Sequence, residues 1–144
     1  MLWAWERPED LRFIPAGAAE AAVLAGTLRL SGDRVQGHPR SVPLLLDDTI
    51  PVTAVVRIEL QPGGAALDER QRARAVAWIR ELALRPRYAG LQIDFDAPES
   101  ARAFYLGLLA ELRPDFPRLS MTALASWCFE PESWLRDAPV DEIV

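Results

Sequence analysis

Along the second half of the chain, the spacing of apolar and polar residues alternates between a strand-like and a helix-like periodicity. Short runs alternate with period two and are rich in β-branched residues, which is typical of strands, and longer runs carry an apolar stripe at helical spacing. Asp68 is predicted to cap the first helix, with Gln71 three residues later, and Pro98 to open the second. Strands are predicted at 50–61, 89–95, 119–127 and 140–144, with helices after Asp68, after Pro98 and at 131–137.

The first half predicts strands with one hairpin where a crossover helix would otherwise stand. Residues 2–6 and 21–30 read as strands, and residues 9–14 read as a short helical turn. The "SGD" segment at 31–33 is a turn signal, and residues 34–46 continue in extended form. The later "PGG" is expected to end the strand that begins near residue 50.

The order of elements from residue 52 onward is strand, helix, strand, helix, strand, short helix, strand. This alternation predicts a parallel sheet with right-handed crossovers. One face of the strand at 50–61 is aliphatic and the other carries Arg57 and Glu59, while the strand at 89–95 carries Gln92, Asp94 and Asp96 on one face. Polar side chains gathered on the face without helices are typical of a barrel interior near its mouth.

The fold prediction is therefore an α/β, TIM-barrel-like (β/α) sheet. A complete barrel takes about 250 residues, so the 144 residues are expected to form a single partial barrel domain, 1–144, of about five to six strands. We expect it to be the N-terminal part of a longer barrel. The open sheet edges are expected to pair with another copy, and a stable monomer in size-exclusion chromatography would contradict this.

The composition excludes several kinds of chemistry but does not identify the one that this protein performs. The net charge is −5, which argues against an electrostatic hold on nucleic acid or anionic lipid. All 16 basic residues are arginine, so no lysine of this chain can act in catalysis. The single Cys128 and single His38 exclude an internal disulfide and a cluster of thiolate or histidine ligands, and no cofactor or metal is predicted.

The start "MLWAWERPEDL" has no basic region, so no signal peptide is expected, and no apolar run is long enough for a transmembrane segment.

Asp94 and Asp96 are the candidate catalytic residues. They point the same way from one strand, with Cα atoms about 6.6 Å apart from the strand rise. Two nearby carboxylates can hold one proton between them, so one serves as a general acid while the other stays ionised. The alternative is that the pair only caps the strand and the following helix at the surface.

Five further residues are candidates for substrate binding. Arg57 and Glu59 share the inferred interior face, but they could equally form a structural arginine–carboxylate network. Tryptophans at strand ends could stack against sugar rings, or could simply pack in the core. The substrate-binding candidates are Glu59, Gln92, Trp127, Trp5 and Arg57.

The segment "AGLQIDFD" resembles the fourth-strand motif of chitinase-like family 18 glycoside hydrolases, Asp-Gly-x-Asp-x-Asp-x-Glu. Gly90 matches the glycine and Asp94 the third aspartate, while Asp96 takes the place of the catalytic glutamate. Ala89 and Gln92 stand where the motif has its first two aspartates. The resemblance implies a catalytic or sugar-orienting role for the pair.

Five segments in order resemble a bacterial family described as domain of unknown function 3142. They are "WAWERPEDLRFI", "LAGTLRL", "LQIDFDA", "LSMTALASWC" and "PVDEIV". That resemblance implies a TIM-barrel fold, a glycosidase-like site without a defined substrate, and a natural protein that continues beyond Val144.

These features favour a glycoside-hydrolase-like barrel acting on or binding a carbohydrate. A non-catalytic carbohydrate-binding or structural barrel is the alternative, and the 144-residue chain by itself is expected to be inactive. A haloacid-dehalogenase-type phosphatase is disfavoured, because its chemistry commonly uses a lysine and an aspartate loop near the start of the domain.

Overall fold

A computed structural model of the chain, which describes residues 1–129 and 134–144, contains nine strands and two α-helices in its described part. The strands are β1 (Leu2–Ala4), β2 (Glu9–Asp10), β3 (Ala21–Gly32), β4 (Arg34–Pro39), β5 (Leu44–Leu45), β6 (Val52–Ala65), β7 (Gly90–Asp94), β8 (Leu119–Met121) and β9 (Glu142–Ile143). The helices are α1 (Glu69–Ala83) and α2 (Arg102–Leu112), with 3₁₀ turns at Glu99–Ala101, Ala125–Phe129 and Trp134–Asp137.

Six strands form an open, curled, all-parallel sheet in the order β1-β3-β6-β7-β8-β9, which makes a half-barrel. The predicted barrel-like α/β class with five to six parallel strands is therefore confirmed. The predicted hairpin is also present, since β4 pairs antiparallel with β3 around the turn at Asp33. A separate two-stranded parallel sheet joins β2 and β5.

Three local predictions are wrong. The helical turn predicted at 9–14 is wrong for Glu9 and Asp10, which pair with β5 instead, and only residues 11–14 close a turn, in which the Ile14 N–H donates to the Leu11 carbonyl at 3.1 Å. The "PGG" segment does not end β6. Gly63 and Gly64 adopt positive φ values of 94° and 81°, so the chain bulges outward and returns to pair Ala65 with Gly32 of β3.

The predicted strand at 119–127 is the third error, because β8 ends at Met121 and residues Ala125–Phe129 turn into 3₁₀ conformation. The start of the helix predicted at 131–137 lies outside the described residues, and its remainder is the 3₁₀ turn at Trp134–Asp137.

Helix α1 begins as its sequence predicts. The Asp68 carboxylate accepts a hydrogen bond from the Gln71 backbone N–H at 2.7 Å, and Gln71 Oε1 reaches back to the Leu67 N–H at 2.8 Å. The Gln71 amide also donates to the carbonyls of Gly32 and Arg34 at 3.1 and 2.9 Å, so the cap ties α1 to the β3–β4 hairpin.

Two apolar clusters cover the outer, helix-bearing face of the sheet. The larger joins the strands to α1 and α2 and includes Ile58, Ile79, Ile93 and Leu108, all buried. The smaller covers the amino-terminal ends of β1, β3 and β6 with loop residues such as Leu11 and Ile50 in place of a helix. This arrangement leaves the opposite face of the sheet for polar residues. No helix among the described residues is long and apolar enough to cross a membrane.

Candidate functional site

The face of the sheet turned away from the helices gathers the polar residues of neighbouring strands. Pairing sets Thr27 of β3 beside Arg57 of β6, and Arg57 beside Asp94 of β7. One step along, Arg29 pairs with Glu59, and one step back, Gln92 lies between Val55 and Ser120. Because side chains alternate along a strand, these residues share one concave surface, which we call the inner face. Its named members are Trp3, Trp5, Thr27, Arg29, Arg57, Glu59, Gln92, Asp94, Ser120 and Thr122.

Asp94 is a half-buried carboxylate at the carboxyl end of β7. Its Oδ1 accepts a hydrogen bond from the Thr122 hydroxyl at 2.8 Å. Thr122 directly follows β8, so this bond joins the ends of two neighbouring strands and fixes the carboxylate on the inner face. The carboxyl ends of parallel strands are where active sites of barrel proteins lie.

Asp96 lies two residues beyond Asp94, past the end of β7, and is exposed. Both carboxylates influence the buried hydroxyl of Tyr105, whose pKa is raised mainly by burial and further by the negative charges of Asp94 and Asp96. The Tyr105 hydroxyl donates to the Ile93 carbonyl at 2.9 Å, so α2 supports the strand immediately before the acidic pair.

Gln92 is the most unusual residue of the inner face. Its side chain is fully buried, and neither its Nε2 nor its Oε1 has a hydrogen-bond partner among the described residues. An unpaired buried amide is costly, and such groups in proteins are normally satisfied by protein, water or ligand. Gln92 therefore marks a polar position directly beneath Asp94.

A charged row crosses β3 and β6 on the inner face. Glu59 forms ion pairs with Arg29 at 3.1 Å and with Arg57 at 3.4 Å. The Arg57 guanidinium also lies over the Trp5 ring, 5.8 Å from its centroid. The structural network considered for Arg57 and Glu59 is thus present, and it lies next to an aromatic side chain.

The tryptophans separate into two groups. Trp3 and Trp5 lie together, with ring centroids 6.2 Å apart and planes 48° to each other, and Trp3 is 41% exposed. Trp127 is only 4% exposed and packs against Trp134 at 5.0 Å, inside the larger apolar cluster. Its placement offers little surface to a ligand, in contrast to Trp5.

The structure therefore places six of the seven sequence-predicted residues at the inner face or its rim, and Trp127 in the core. Sequence reasoning missed the partners: Thr122, which holds Asp94, and Arg29, which pairs with Glu59. The alternation of Thr27 and Arg29 with Leu28 and Leu30 on β3 was a signal that could have found Arg29.

No group of three or more His, Cys, Asp or Glu residues within residues 1–129 and 134–144 is arranged to hold a metal ion. Together, the fold and the inner face define a parallel half-barrel with an acidic, arginine-containing and aromatic concave surface. Comparison of the chain with protein-family models, with curated proteins and with solved structures finds no match.

Proposed function

We propose that the inner face binds carbohydrate in the manner of a glycoside-hydrolase-like barrel. The observation that carries the proposal is the Trp3–Trp5 pair beside the row of charged side chains that ends at Asp94. Sugar rings present apolar C–H faces, which suit exposed indole rings, and hydroxyl groups, which suit carboxylates and guanidinium groups. The inner face offers both kinds of surface side by side.

The proposed division of roles follows the strand order. Trp3 and Trp5 stack against a sugar ring, while Arg57 and Glu59 hydrogen-bond hydroxyl groups at the centre of the face. Gln92 is fully buried beneath Asp94, so it supports the face from below and does not contact the sugar. Asp94, held by Thr122, orients the group next to the bond to be cleaved.

The proposed chemistry assigns the proton to Asp96. As general acid, Asp96 gives its proton to the glycosidic oxygen as the C–O bond breaks, and the leaving sugar departs as an alcohol. Asp94 meanwhile orients the group that attacks the sugar carbon. If that group is a water, its proton passes to the Asp94 carboxylate; if it is a substrate group, as in substrate-assisted hydrolysis, the ionised Asp96 then takes a proton from the water that hydrolyses the resulting intermediate. This assignment agrees with the resemblance of "AGLQIDFD" to the chitinase-like motif.

A second candidate is a barrel that binds carbohydrate without cleaving it. One observation favours it: Asp96 is exposed, whereas a general acid that keeps its proton near neutral pH is usually buried in an apolar pocket. Ala89 and Gln92 also stand where the resembled motif has acids. The two candidates share the inner-face contacts and differ only in turnover.

Hydrolysis of a panel of aryl glycosides by the full natural protein, together with its binding to a glycan array, tests both. We expect Asp96→Asn to lower any turnover by about 10²- to 10⁴-fold, the usual contribution of a general acid, while leaving binding intact. Asp33→Asn, an exposed aspartate in the β3–β4 turn, is the matched control and is expected to behave as the parent.

The outcomes separate the candidates. Equal turnover by the parent and Asp96→Asn removes Asp96 from catalysis, and glycan binding with no turnover supports the binding-only barrel. An absence of both binding and turnover contradicts the carbohydrate proposal.

A further inference from the structure

A cavity lies on the outer face of the sheet, away from the proposed carbohydrate site. Its volume is about 180 Å³, and its apolar walls include Val23 of β3, Leu44 of β5 and Leu82 of α1. These residues belong to both apolar clusters, so the cavity lies in the seam between them. It exists because loop residues, rather than a crossover helix, cover the sheet between β3 and β6.

Three arginines line this cavity, and no acidic residue of the described part of the chain does. They are Arg40, which follows β4, and Arg85 and Arg87, which follow α1. None of the three forms an ion pair with a described residue, whereas Arg29, Arg57, Arg72, Arg80, Arg113 and Arg118 all do. Arg87 also borders a neighbouring groove lined by Asp47 and Asp48, but Asp47 is engaged by Thr49.

Arg40 is fixed in place before any ligand arrives. Its guanidinium donates to the carbonyls of Trp5, Arg7 at 2.7 Å and Val42 at 3.1 Å. These bonds use three of the five donors of the group, and Arg40 forms no ion pair with a described residue, although Glu6 lines a neighbouring cavity with it. A half-buried, immobilised cation of this kind requires little further ordering to bind an anion.

Arg87 is partly ordered as well. Its guanidinium lies over the ring of Tyr88, 5.1 Å from the centroid, and Tyr88 packs against both apolar clusters. Arg85 is exposed at the rim. Arg87 is exposed as well, and although the chain has a net charge of −5 and 21 acidic residues, no described acidic residue joins the three arginines in this lining.

We infer that the cavity binds a tetrahedral or carboxylate oxyanion, with phosphate and sulfate as the best fit. The planar guanidinium fork matches oxyanion geometry and gives short, charge-assisted hydrogen bonds. A pocket of this volume accommodates one such group, whether as a free anion or as a substituent carried by a sugar. The inference does not depend on the carbohydrate proposal, since the cavity opens on the other face of the sheet.

Isothermal titration calorimetry with inorganic sulfate and inorganic phosphate tests the inference, with chloride used to hold ionic strength constant. Arg85→Gln and Arg87→Gln are each expected to weaken binding about tenfold, because each removes one charge-assisted contact. The double variant is expected to lose measurable binding. Arg70→Gln, an exposed arginine in the first turn of α1, is the matched control because it removes the same charge outside the cavity.

A parallel titration compares glucose 6-sulfate with glucose. If the protein binds the sulfated sugar but not glucose, and Arg85→Gln and Arg87→Gln weaken that binding about tenfold, the result supports an oxyanion carried by a sugar. Binding of inorganic sulfate or phosphate supports a free oxyanion. Binding of none of these anions overturns the inference, as does an equal loss of affinity in Arg70→Gln, which would indicate a general charge effect. Circular dichroism melting of each variant confirms that the fold is kept.

Discussion

Replacing Tyr105 by alanine is expected to lower the free energy of unfolding by about 4 kcal/mol, within the range for large aromatic residues removed from a core. Tyr105 is fully buried on α2, and its ring contacts Phe95 at 5.2 Å and Trp134 at 6.0 Å between centroids. Its hydroxyl also satisfies the Ile93 carbonyl of β7. The truncation would therefore leave a cavity beneath the acidic pair and remove one of the two hydrogen bonds to the Ile93 carbonyl, which keeps the bond from the Thr122 N–H at 3.0 Å.

Urea denaturation of Tyr105→Ala and Tyr105→Phe measures the two contributions separately. Tyr105→Phe keeps the ring and removes only the hydrogen bond, so we expect a loss of about 1 to 2 kcal/mol. If both variants unfolded at the parent midpoint, the assigned packing between α2 and β7 would be incorrect. A loss of equal size in both would instead place the whole effect on the hydroxyl.

Replacing Gly37 by alanine is expected to be the second large loss, about 3 kcal/mol, at the upper end for overpacking. A Cβ at this position would lie only 2.0 Å from the Trp78 ring. On the facing strand, a Cβ at Gly26 would lie 2.9 Å from the same Trp78 ring. The β3–β4 hairpin can thus pack on α1 only where its strands carry glycine opposite Trp78.

A double-mutant cycle tests this contact directly. Trp78→Ala destabilises the protein by itself but opens space, so Gly37→Ala in that background is expected to cost less than about 0.5 kcal/mol. A penalty that stays near 3 kcal/mol without Trp78 would show that another neighbour or the backbone opposes the side chain. Thermal unfolding of the four proteins gives all the terms of the cycle.

The parallel sheet could be predicted from sequence because its strands alternate so clearly. Arg57 and Glu59 on β6, and Gln92 and Asp94 on β7, stand against aliphatic residues that face the helices. The cap of α1 could also be predicted from the sequence, since Asp68 and Gln71 form their capping hydrogen bonds within a segment of five residues. The sequence is therefore sufficient to predict elements that are determined by local contacts or by a regular spacing of apolar residues.

The errors arise where tertiary pairing overrides local signals. "PGG" reads as a strand end, but pairing of Ala65 with Gly32 pulls the chain back into the sheet beyond it. The apolar run at 119–127 reads as one strand, yet β8 ends at Met121 and a 3₁₀ turn begins at Ala125, which buries Trp127 against Trp134. The cavity containing Arg40, Arg85 and Arg87 joins segments that are far apart in sequence, so no spacing rule could bring them together.

The carbohydrate proposal rests on the inner face. The chain has five tryptophans, and their signals allow that face to be tested residue by residue. In a ¹H–¹⁵N correlation spectrum each tryptophan contributes one indole N–H signal, and single substitutions assign them. Trp3 and Trp5 lie on the inner face, whereas Trp78 packs under the hairpin on the outer face and the Trp134 indole nitrogen is buried.

Titration with chitotriose, cellotriose, maltotriose and xylotriose is therefore the most direct measurement. With at least one of these sugars, the signals of Trp3 and Trp5 are predicted to shift in a saturable manner while those of Trp78 and Trp134 stay in place. Shifts confined to Trp78 or Trp134, or no shift of Trp3 and Trp5 with any sugar, would contradict a carbohydrate site on the inner face of this half-barrel.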